Sequence, residues 1–162
     1  MTKKIVLSII LLSALLSIAT SCQPPTPETA PCIGFREYID GDQFPNPWEL
    51  IGFKFTGNTA LIIGAANNIN GLKIEEAGLR VELPGTTEDV TIQAMAFGTL
   101  PITIDAVDSN KNYVDQVTVP DDDTLHIVHL SANEISTVIF SGGDNEAFLI
   151  EICMGNFYQE GQ

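Results

Sequence analysis

From Cys32 onward, apolar and polar side chains alternate over short stretches, and nothing has the spacing of a long amphipathic helix. Val90, Ile92, Ala94 and Ala96 share one face of an extended chain, opposite Thr91, Gln93 and Met95. Ile102 and Ile104 face away from Thr103 and Asp105, and Val117 and Val119 from Gln116 and Thr118. The pattern predicts strands over roughly 33–39, 48–56, 59–65, 72–75, 78–83, 89–98, 101–107, 112–119, 124–130, 135–141 and 146–154. Turn formers separate many of them: Pro84-Gly85, Asp108-Ser109-Asn110, Pro120 to Asp123, and Ser141 to Asn145. Many short strands at intervals of about ten residues predict an all-β domain over 32–162. Its expected architecture is a two-sheet antiparallel β-sandwich or jelly roll.

The first 31 residues follow other rules. Lys3 and Lys4 precede an apolar run, Ile5 to Ile18, broken only by Ser and Ala, and small residues follow up to Ala19-Thr20-Ser21-Cys22. A charged start, a short apolar stretch and a small-residue cleavage site describe a secretory signal over 1–21. The run falls short of the roughly 20 apolar residues that a membrane-spanning helix needs. Its end resembles the lipobox of bacterial lipoproteins, with Ala19 where Leu is more usual. The resemblance implies cleavage before Cys22, a diacylglycerol thioether on Cys22 and a further acyl chain such as palmitate on its amine. Each buried methylene contributes about 0.8 kcal/mol, so two or three chains hold a protein to a bilayer. Residues 22–31 then form a lipidated tether with four prolines between Gln23 and Pro31. Nine residues of extended polyproline-type chain reach roughly 28 Å. Gln23 is not the aspartate that retains lipoproteins at the inner membrane in well-studied systems. The resemblance therefore favours the outer membrane, with the leaflet left open.

Removing the signal takes two lysines and no acid, so the mature chain carries five basic and 21 acidic side chains, a formal charge of −16. Such a surface repels nucleic acid and anionic headgroups and favours solubility or divalent cations. With Cys22 taken by lipid, Cys32 and Cys153 remain, near the two ends of the domain. In an oxidising compartment they read as a disulfide, which puts the first and last strands side by side.

The last third carries a further likeness. Ile135-Ser136-Thr137-Val138-Ile139-Phe140, a Gly-Gly turn, and the closing strand Glu146 to Ile152 resemble the end of galactose-binding-like jelly rolls. That group holds discoidin domains and many carbohydrate-binding modules. Gly78 to Pro84 and the strand from Val90 to Phe97 are similar to its middle, so the likeness spans about 33–154. It implies carbohydrate or glycoprotein ligands. It also implies a structural calcium near the domain's two ends, where Glu37, Asp40, Asp42 and Glu151 are available; Asp40, Asp42 and Glu151 are the candidate ligands.

Other chemistry is thinner. His126 and His129, three apart on a strand, point to opposite faces and cannot share a metal without a bulge. No nucleophile elbow, zinc-protease run or phosphate-cradling loop occurs. Asp108, Asn110 and Asn112 mimic half of a calcium loop, but Tyr113 stands where its turn glycine belongs, and the stretch reads as a hairpin tip. Asp121 to Asp123 read as a solvated turn. Sugar recognition uses flat aromatic faces beside a few polar groups, and Trp48 and Tyr113 are the candidate ligand-binding aromatics. Trp48 follows Asn46-Pro47 at a loop-to-strand boundary that suits a core ring, a sugar platform or a partner contact, with the core reading preferred.

The expected function is that of a non-catalytic binding module on a lipid anchor in the cell envelope, with carbohydrate or an envelope protein as partner. The alternative is a structural or assembly protein that packs through its sandwich. Fold alone does not choose between them.

Overall fold

The computed structural model describes residues 31–155. The signal, Cys22, most of the tether and residues 156–162 lie outside the described residues.

The described residues form an antiparallel β-sandwich of eleven strands. They are β1 (Cys32–Gly34), β2 (Gln43–Phe44), β3 (Trp48–Leu50), β4 (Phe53–Thr56), β5 (Leu61–Ala66), β6 (Ile69–Ile74), β7 (Leu79–Ala96), β8 (Ile102–Asp108), β9 (Tyr113–Val119), β10 (His126–Gly142) and β11 (Ala147–Met154). Two strands make the architecture. β7 and β10 run 18 and 17 residues and pair with each other along most of their length, so each belongs to both layers. The latter half of β7 and the first half of β10 continue one layer, in the order β2-β5-β6-β11-β7-β10, with β1 beside β11. The first half of β7 and the latter half of β10 form the other, β3-β4-β7-β10-β8-β9. The ribbon bends between them, and its register slips on either side of Ile135.

Alternation decides what enters the core. Val90, Ile92, Ala94 and Ala96 are buried in the same apolar cluster as Ile102, Ile104, Val138, Phe140, Leu149 and Ile152. Their chain neighbours Thr91, Gln93 and Met95 point to the outer face, as the period of two requires.

Several boundaries differ from those read in the sequence. The stretch 48–56 is not one strand but a hairpin, reversed at Ile51-Gly52, both at positive φ (42° and 85°). A β-branched residue is a poor turn former, which hid the reversal. Residues 35–42 leave the strand geometry and form turns that lead to β2. Pro84-Gly85 bends β7 without ending it, and the segments 124–130 and 135–141 join into β10.

Cys32 and Cys153 face each other in the β1–β11 ladder with Cα atoms 4.0 Å apart and form the disulfide. Their sequence separation of 121 residues makes the link stabilising by about 4–5 kcal/mol in the chain-entropy picture.

The two ends of the sandwich differ. At the end where the ribbon bends, Ile135 pairs with both Thr87 and Asp108, and Ser131 pairs with Asp89. Gly155 donates to the Asp89 carbonyl (2.6 Å) and Met154 to that of Pro31 (3.0 Å), so both described termini leave here. The Ile51-Gly52 turn packs beside Pro84 at the same end. The opposite end is closed by Phe97 donating to Glu146 (2.8 Å), Gly143 to Pro101 (3.2 Å) and Gly78 to Glu75 (2.8 Å).

Candidate functional site

Trp48 sits at the open lateral edge of the sandwich. Its ring lies parallel to Phe44, centroids 4.1 Å apart, while Phe55, Tyr38 and Phe35 surround it at 5.5, 6.0 and 6.2 Å. The half-buried indole is thereby packed against the core with one face covered by Phe44. Asn46 fixes the approach: its side chain accepts from the Gly57 amide (3.2 Å) and donates to the carbonyls of Gly57 (2.8 Å) and Thr59 (2.5 Å). The ring is thus built into the aromatic cluster of the sandwich edge, with Phe44 on one of its faces.

Tyr113 is the contrary case. It opens β9 immediately after the hairpin tip and is 70% exposed. Asp108 builds that tip, accepting from the amides of Asn110 and Asn112 (both 2.8 Å) and from the Asn112 side chain (2.9 Å). These bonds, that of the Asn112 side chain first, hold the Asp108 carboxyl below its usual pKa. The carboxylate therefore turns into its own loop, as a hairpin tip requires.

Beside Tyr113 lies a shallow depression of about 490 Å³ lined by Asp105, Val114, Asp115 and Gln116. The hairpin register places Gln116 opposite Asp105, and its amide donates to Asp105 Oδ1 (2.6 Å). Asp115 is held on both oxygens, accepting from the Gln116 amide and from the Ser131 amide of β10 (2.8 Å each). Tyr113, Asp105 and Gln116 thus share the outer face of the hairpin, while Asp115, paired with buried Ala106, turns the other way to the Ser131 amide of the facing layer. The ring's electron-rich face suits the C–H face of a sugar, and the Asp105 carboxylate suits its hydroxyls. Asp105, Asp115 and Gln116 were not singled out in the sequence. A regular hairpin with its tip at 108–112 would pair 105 with 115, and the register shift between Ala106 and Val107 that brings Gln116 opposite Asp105 has no signal in the sequence.

The carboxylates proposed for calcium do not converge. Asp42 Oδ2 accepts from the Ile39 amide (3.0 Å) in a turn before β2, and Asp40 is exposed in that turn. Glu151 sits on β11, with β6 and β5 intervening, and accepts from Gln93 Nε2 (2.5 Å), while Gln93 Oε1 accepts from Arg36 (3.0 Å). Among the described residues, the one group of three ligand types within 4.8 Å is Cys32, Glu151 and Cys153. Its sulfurs are spent in the disulfide.

The histidines also stay apart. His129 Nδ1 meets the Thr91 hydroxyl (3.1 Å) on the outer face. His126 Nε2 meets both Asp122 Oδ1 and Thr124 Oγ1 at 2.8 Å, and Thr124 Oγ1 donates to Asp122 (2.7 Å). A nucleophile relay needs the base to meet the acid and the nucleophile on different imidazole nitrogens. Here one nitrogen meets both, so the trio ties a turn.

No protein-family model and no curated protein sequence matches the chain. Solved structures with similar folds include a family 6 carbohydrate-binding module, 11% identical at a TM-score of 0.42, matching 80% of this chain and 95% of that one. The catalytic unit of a GH87 α-1,3-glucanase from Streptomyces thermodiastaticus is 13% identical at a TM-score of 0.38. The CBM22-1–GH10 modules of Clostridium thermocellum xylanase 10B, complexed with xylohexaose, are 14% identical at 0.37. The matches cover 76% and 80% of this chain, but only 28% and 30% of those two larger chains.

Proposed function

We propose that the protein is a non-catalytic binding module for neutral carbohydrate, displayed in the cell envelope from a lipid anchor on Cys22. The observation that carries the binding reading is the exposed Tyr113 ring beside the fixed side chains of Asp105 and Gln116. Carboxylates accept well from sugar hydroxyls, and the charge of the mature chain disfavours acidic glycans. The anchor reading rests on the signal and on Cys22 as the first mature residue.

The test is glycan-array binding of residues 32–162, wild type beside Tyr113→Ala. Loss of binding at unchanged stability supports the site, because removing an exposed ring leaves no cavity. Retained binding in the variant moves the site elsewhere. Cys22→Ala should release the protein from membranes, and unchanged partitioning would remove the anchor.

A second reading, assembly through strand addition, is favoured by β9, which among the described residues pairs with a neighbour on one side only. A sizing measurement decides it: a stable oligomer blocked by Thr118→Pro would favour assembly.

A further inference from the structure

A second depression, of about 560 Å³, opens at the bend of the ribbon and is lined by Thr86, Thr87, Glu88, Asn133 and Glu134. The β10 bulge separates it from the Tyr113 depression, and one hydrogen-bonded chain bridges the two. Asp115, in the first, accepts from the Ser131 amide, and the Ser131 hydroxyl donates to Asp89 (2.9 Å), next to Glu88 in the second. Asn133 and Glu134 follow Ser131 after a single residue, Ala132. Ser131 thus ties β9 to β7 across the stretch of β10 that lies between the two depressions.

The polar groups here are free. Thr87 spends its hydroxyl on Asp89, but among the described residues the side chains of Thr86, Glu88, Asn133 and Glu134 make no hydrogen bond. Hydroxyl, amide and carboxylate groups together suit a ligand rich in hydroxyls, and no lysine or arginine lines the depression to attract an anion.

The backbone singles out the same end. Among the described residues, eight that are not glycine have positive φ, and five of these are Asn or Asp, which tolerate that region. The other three, Ile51, Lys111 and Glu134, all lie at the end where the ribbon bends. Residues held in unfavourable backbone regions gather at functional sites.

Resting on the carbohydrate reading above, we infer that the two depressions are consecutive subsites of one site. The ligand is then a chain of neutral sugars laid across the β10 bulge, not a single sugar. Tyr113 stacks on one unit, and Asn133 and Glu134 hydrogen-bond a neighbouring one.

The experiment measures affinity along a ladder of neutral mono- to hexasaccharides for the full mature protein, wild type, Glu134→Gly and Asn133→Ala. Wild-type affinity should rise with chain length and then level off. Both variants should flatten that rise, losing at least tenfold on the longest ligand while short ones are unaffected. Glycine accepts the φ of 60° at position 134 without strain, so Glu134→Gly should keep its melting temperature and exclude unfolding as the cause. A wild-type ladder without any rise, or a rise untouched in both variants, overturns the second subsite and leaves the first standing. Failure of the wild type to bind any neutral sugar overturns the carbohydrate reading itself.

Discussion

Trp48 and Phe44 lie with their ring planes 10° apart and centroids 4.1 Å apart, joining the edge of one layer to the edge of the other. The pair belongs to a cluster with Phe35, Tyr38 and Phe55 that closes a side of the sandwich where no strand crosses between the layers. Aromatic pairs contribute about 0.5–1.5 kcal/mol beyond the area they bury. Trp48→Ala should therefore destabilise the domain by about 3 kcal/mol, near the low end for deleting a large packed aromatic. Chemical denaturation checks this, and a midpoint equal to the wild type's would make the ring dispensable for folding.

Ile51 is an exposed β-branched residue at φ 42°, first of the two residues in the β3–β4 turn. The type I′ geometry that such a turn takes prefers Asn followed by Gly, and Gly52 already occupies the second place. Ile51→Asn supplies the preferred dipeptide and should stabilise by about 1 kcal/mol, the low end of the strain relieved. Its melting temperature should rise by several degrees. A fall would show that Ile51 makes a contact its exposure conceals.

The same turn marks where the sequence was hard to read. Alternation placed the inward faces of β7 and β8 correctly, because periodicity two survives any tertiary arrangement of the strands. The Cys32–Cys153 pair was equally legible, since two cysteines at the two ends of one domain have few other partners. Ile51 hid a reversal because its side chain argues for strand while its neighbour Gly52 argues for turn. The long β7 and β10 were hidden for the opposite reason: Pro84-Gly85 has turn chemistry, yet here it bends a strand that goes on. At the site, Tyr113 was visible as an aromatic after a hairpin tip. The depression of Asn133 and Glu134 was not visible, because it exists only where two strands change layers together.

Gly64 and Gly71 pair across β5 and β6, and the Phe148 ring lies over them on the outer face. A Cβ at position 71 would stand 2.6 Å from Ile150 Cδ1, 2.9 Å from Phe148 Cβ and 3.0 Å from the Leu149 carbonyl oxygen. The last of these is backbone in a ladder and cannot turn aside. Gly71→Ala should thus cost about 1–3 kcal/mol through overpacking, despite alanine's better conformational entropy. Thermal unfolding checks the sign; an unchanged or higher melting temperature would mean that β11 shifts freely.

Asp122 gives a dependence on pH whose direction follows from its bonds. The Thr124 hydroxyl first, then His126, stabilise the ionised carboxyl and lower its pKa from 3.8 to about 2. A carboxyl whose folded pKa is depressed contributes stability that is fully present above its unfolded value. That contribution drains away as the pH falls from about 4 through about 2. The group is fully exposed, so the effect on global stability is small and the carboxyl itself is the better probe. Carbon-detected NMR should find Asp122 titrating well below the ordinary aspartate range. Thr124→Ala removes the main donor and should raise that value toward 3.8, and His126→Ala should raise it less. The larger rise in the histidine variant would make the imidazole, not the hydroxyl, the group that holds this turn.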